Sequence, residues 1–81
     1  MIDLKYSLVI EATSDAKFFC FYSPDLEGFT GAGRSVDDCL CRAKEGMDDF
    51  VEFLREEGLP IPRQNPAPQV LVQNDVRAKQ A

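Results

Sequence analysis

The sequence predicts a small α+β domain: a short sheet with one long helix packed on one face. Three observations carry this. Apolar residues alternate with polar ones near the N-terminus, where Leu4, Tyr6, Leu8 and Ile10 would share one side of a strand. From Val36 onward the apolar residues recur at helical spacing instead. A proline-studded connector then leads to a last short apolar run, Gln69-Val70-Leu71-Val72-Gln73.

In order, residues 4–11 form the first strand, with Lys5, Ser7, Val9 and Glu11 on its second face. Thr13, Ser14 and Asp15 are turn residues. Residues 17–23 return as a second strand, so the two make a hairpin. This strand is apolar on both sides: Phe19 and Phe21 point one way, and Phe18, Cys20 and Tyr22 the other. One helix covers one face of a small sheet, so the aromatics Phe18, Phe19, Phe21 and Tyr22 mark a surface for self-association. The competing reading is a central strand whose second face is covered by the C-terminal tail.

Ser35 is a helix N-cap, and Asp37 and Asp38 favour the positive end of the helix dipole. Val36, Leu40, Ala43, Met47, Phe50, Val51 and Leu54 form the apolar stripe, and Gly58 and Pro60 stop the helix. Pro60, Pro62, Pro66 and Pro68 stiffen the connector. Residues 74–81 are polar and expected to fray. Residues 1–81 thus read as one domain with a core over residues 4–73.

Composition excludes several functions. Fourteen acids against nine bases leave a net charge of −5, which suits a basic protein partner rather than nucleic acid. Residues 35–57 hold eight acids and three bases, the same −5, so the acidity belongs to the helix. Three cysteines, an odd number with two of them only two apart, point away from a secreted disulfide framework and toward a reducing cytoplasm. No apolar run has a bilayer-spanning length and no signal peptide is evident.

The glycines of Gly28-Phe29-Thr30-Gly31-Ala32-Gly33 do not follow a dinucleotide or phosphate-loop pattern, and Asp37 and Asp38 would repel a phosphate. They read as a turn and short strand. Cys39 and Cys41 sit about 200° apart around a helix, so they cannot share a metal ion. With no histidine and no activated nucleophile, neither a metal site, a cofactor nor catalysis is expected.

Taken in order, these residues resemble the N-terminal domain of the HicB antitoxin family. The matching segments are Leu8-Val9-Ile10-Glu11, Phe18-Phe19-Cys20-Phe21, Pro24-Asp25-Leu26-Glu27-Gly28-Phe29, Gly33-Arg34-Ser35, Leu40-Cys41-Arg42-Ala43-Lys44-Glu45-Gly46 and Glu56-Glu57-Gly58-Leu59-Pro60-Ile61-Pro62. The departures are Glu27, where the family commonly has proline, Phe29, where it commonly has cysteine, and Cys39, where alanine is usual. The resemblance implies a β-β-β-α-β chain order and a truncated ribonuclease-H-like fold without that fold's catalytic carboxylates. It makes residues 29–33 the third strand and sets the last strand beside the first. It further implies a non-catalytic antitoxin that masks HicA, a small basic mRNA-cleaving toxin. Asp25, Leu26 and Phe29 are contact candidates from the family motif, and Asp48, Asp49 and Glu52 from charge. Many family members carry a C-terminal DNA-binding domain, and none is expected here, so direct nucleic-acid binding is not expected. Self-association to a dimer or tetramer is. The alternative is an orphan homo-oligomeric module of this fold without a toxin.

Overall fold

The computed structural model describes residues 4–73. The expected fraying of residues 74–81 lies outside the described residues. Strands β1 (Leu8–Ala12), β2 (Phe19–Ser23) and β3 (Leu26–Gly33) precede helix α1 (Val36–Glu56), and β4 (Val70–Gln73) follows it. The sheet order is β3-β2-β1-β4. The first three strands form an antiparallel meander, and β4 returns parallel to β1, pairing Leu8 with Val70 and Ile10 with Val72. The β-β-β-α-β order and the pairing of last strand with first are as expected.

β1 begins four residues later than the alternation suggests. The Lys5 carbonyl accepts from the Asn65 amide at 2.8 Å, and the Ser7 N–H donates to the Asp25 carboxylate at 2.8 Å. The partner chain segment there holds four prolines, which supply no N–H for a ladder, so residues 4–7 are held by side chains and single backbone bonds. Tyr6 is nevertheless buried, and its hydroxyl donates to the Pro62 carbonyl at 2.7 Å. β3 is longer than expected, starting at Leu26 after an irregularity between Tyr22 and Ser23.

The core lies between α1 and one face of the sheet. Leu8, Ile10, Phe19, Phe21, Leu26 and Phe29 meet Cys39, Ala43 and Met47, with Val36, Leu40, Phe50 and Val51 packed at the margin. The helix is seated by its cap: Ser35 Oγ accepts from the Asp38 N–H at 3.0 Å. Asp38 in turn accepts from the Arg34 N–H at 2.9 Å and from Arg42 Nε at 3.0 Å. The first of these holds its carboxyl below the ordinary aspartate value. At the far end Gly58, with φ of 69°, takes the left-handed conformation that ends the helix.

The glycine-rich stretch has a packing function. A side chain at Gly31 would bring its Cβ to 2.3 Å from the Phe21 ring, which lies across the strand at that point. Phe21 cannot swing aside, because its ring stacks on Phe29 at 5.9 Å between centroids and Phe29 meets Phe50 edge-on at 5.8 Å. On the helix, Gly46 leaves room for the Phe29 ring. Gly31→Ala is therefore expected to cost about 1–3 kcal/mol through overpacking. A thermal melt should show a fall of at least several degrees for a domain of this size. An unchanged melting temperature would mean that Phe21 has another rotamer available.

Candidate functional site

The expected contact residues lie before and on β3 and along α1. The family-motif residues come first, and the structure buries two of the three and leaves Asp25 partly exposed. Leu26 is fully buried and Phe29 is 6 % exposed, both in the core. Their side chains point inward because β3 packs directly under α1.

Asp25 is a structural tie. Its carboxylate accepts from the Ser7 N–H and, at 3.1 Å, from Asn65 Nδ2. The same Asn65 nitrogen donates to Ser7 Oγ at 3.0 Å, which also accepts from the Gln69 N–H at 3.0 Å. The turn before β3, the approach to β1 and the proline connector thus meet at one polar knot. The Ser7 N–H, more than the Asn65 amide, lowers the Asp25 pKa below its ordinary value. Sequence reasoning missed Ser7 and Asn65 in this role. An asparagine inside a run of prolines was the available signal.

The charge-based candidates separate. Asp48 pairs with Lys5 at 3.3 Å and Glu52 with Arg55 at 2.7 Å, all four being exposed. Such pairs contribute little to stability, yet they partly neutralise the two acids. A cleft of about 470 Å³ lies beside them, lined by Lys5, Tyr6, Asp48, Glu52, Arg55 and Pro62 among others. Its two cations and two anions balance, so it presents no net charge to a ligand. Among the described residues Asp37, Glu45, Asp49, Glu56 and Glu57 make no ion pair, and all are exposed. Glu45, Asp49 and Glu56 recur at i, i+4 and i+11. They form one stripe on the side of the helix opposite Cys39, Ala43 and Met47, the three buried residues. The open acidic surface is this stripe, with Asp49 its one member among the expected contacts.

The second sheet face is also accessible. Tyr22 and Phe18 are 37 % and 45 % exposed, in agreement with their assignment to a surface. Phe19 and Phe21, however, are buried under α1 and cannot belong to an interface with another molecule. Their alternation with Phe18 and Tyr22 is that of any strand, and the helix selects which pair it covers. Val9 is buried on the uncovered face because Tyr22 and Leu71 flank it on the neighbouring strands. β4 does not cover this face but extends the sheet at its edge, and the expected cover by the C-terminal tail beyond residue 73 lies outside the described residues.

The cysteines differ as their helical positions require. Cys39 is buried and Cys41 exposed, and burial, followed by the Asp38 charge, pushes the Cys39 thiol up. An aromatic disulfide reagent should modify Cys41 at the rate of a free thiol and leave Cys39 unmodified until unfolding. Equal rates in the native protein would contradict the helix orientation. No group of three or more acidic or cysteine side chains among the described residues could hold a metal ion. Among the same residues, no helix is long and apolar enough to cross a membrane. Comparison of the chain with protein-family models, curated proteins and solved structures returns no match.

Proposed function

We propose that the chain is a HicB-like antitoxin domain that binds and masks a small basic mRNA-cleaving toxin of the HicA type, without chemistry of its own. The resemblance of the ordered motifs over residues 4–73 is its origin. The observation that carries it in three dimensions is the acidic stripe of Glu45, Asp49 and Glu56, uncompensated among the described residues and facing outward along one helix. A basic, RNA-binding surface is complementary to such a stripe, and covering it would exclude the RNA phosphates that the toxin must reach. On this reading the sheet would be a truncated ribonuclease-H-like fold acting in the cytoplasm.

Co-purification of the tagged chain from its own host at moderate salt tests the reading. A small basic protein should accompany it and be lost at high salt. The triple substitution Glu45→Lys, Asp49→Lys, Glu56→Lys should weaken that complex roughly tenfold or more, chiefly through the association rate. Its melting temperature should stay near that of the parent, because the three side chains are exposed. Recovery of the chain with no basic partner, or a complex indifferent to both salt and the triple substitution, would overturn it. A second reading, an orphan homo-oligomeric module, is favoured by one observation: the sheet face bearing Phe18 and Tyr22, which no element among the described residues covers.

A further inference from the structure

We propose that β4 is the pairing edge of a two-fold homodimer, in which Val70, Leu71 and Val72 run antiparallel to the same residues of a second copy. The inference does not depend on the antitoxin reading.

The sheet order leaves β4 at an edge. The Leu8 N–H donates to the Gln69 carbonyl at 2.8 Å, and Leu8 pairs in register with Val70. In a parallel ladder this turns the backbone groups of Gln69, Leu71 and Gln73 toward β1. Those of Val70 and Val72 point the other way, and among the described residues no strand pairs with them. The strand is also bare on its flanks. Val70, Leu71 and Val72 are 45 %, 54 % and 43 % exposed, because α1 packs chiefly on the other three strands.

This edge is complementary to itself. Two residues that are two apart and both face outward make an antiparallel pairing with their own copy. Val70 exchanges both N–H···O bonds with Val72 of the second copy, and the two-fold axis repeats the exchange, giving four bonds centred on Leu71. The two Leu71 side chains then meet on the uncovered face, next to Val9 and Tyr22 of each copy. Each Val70 meets a Val72 on the helix side. Gln69 falls opposite Gln73 of the second copy, and each amide can both donate and accept. The usual protections of an exposed edge are missing: residues 69–73 contain no charge and no proline. An uncharged strand gives a basic partner nothing to recognise, whereas a second copy satisfies its backbone. The acidic helices lie over the other strands of each sheet, so they remain apart.

Sedimentation or light scattering should show a concentration-dependent shift from the 9.1 kDa monomer to about twice that mass in the high-micromolar range, since so short an edge makes a weak interface. Raising salt should not reverse the shift. Val72→Lys should return the chain to a monomer. In a background with Cys20→Ser and Cys41→Ser, Leu71→Cys should give a disulfide-linked dimer under mild oxidation. Thr30→Cys, on the opposite edge strand β3, should stay monomeric. Leu71 is half exposed, so this second test stands even if Val72→Lys fails to fold. A monomer at every concentration, or cross-linking at position 30 equal to that at 71, would overturn the proposal.

Discussion

Phe29→Ala should remove about 3–5 kcal/mol of stability, the largest loss expected of any single truncation on β3. The ring is buried, packs at 5.9 Å on Phe21 and at 5.8 Å on Phe50, and sits in the space left by Gly46. Its removal opens a cavity between sheet and helix where neither neighbour can collapse, because Phe21 is pinned over Gly31. A domain of this length has roughly 4–12 kcal/mol of total stability, so this one truncation should remove a large share of it. A urea titration followed by circular dichroism reads this directly. Phe29→Leu, which keeps most of the volume, should recover more than half of the loss. Were Phe29 a partner contact, as the family motif implies, alanine would leave the melt unchanged and weaken only binding.

Asp25→Ala should cost about 2–3 kcal/mol at neutral pH, since it deletes two charge-assisted hydrogen bonds and strands the Ser7 N–H. The loss should depend on pH with a defined sign. The folded-state pKa of Asp25 lies below its unfolded value, so its contribution is fully present above the unfolded pKa, near pH 4. That contribution disappears as pH falls through the folded value. The stability gap between parent and Asp25→Ala should therefore be widest at neutral pH and close under acid conditions. Asn65→Ala should lose less alone, and a double-mutant cycle should show the two coupled, because they share one hydrogen bond and one neighbour in Ser7. A gap constant down to strongly acid pH would mean that Asp25 is not the acceptor in this knot.

Much of the fold was legible because it rests on periodicity. The apolar stripe from Val36, the Ser35 cap and Gly58 locate α1 from local chemistry alone, and the alternation in β1 and β2 follows from the two-residue pleat. The concentration of acid on the helix is likewise a property of the chain. Strand β3 was legible only in part: its glycines read as a turn and a short strand, the resemblance placed that strand at residues 29–33, and its start at Leu26 left no signal in the pattern.

By itself the sequence determined that a helix with one apolar side would cover a sheet, that Cys39 and Cys41 would part company, and that charge would gather on the helix. Tertiary structure alone decided which aromatics of β2 are core and which are surface. The helix can cover only one face, and the chain's path selects Phe19 and Phe21 rather than Phe18 and Tyr22. It also decided that Leu26 and Phe29 lie in the core and that Asp25 ties Ser7 to Asn65, because hydrogen bonds between residues 18 and 40 positions apart leave no local trace. The edge position of β4 belongs to the same class: a strand's neighbours are set by sheet order, and no property of Val70, Leu71 and Val72 announces that, among the described residues, one side of them is left unpaired.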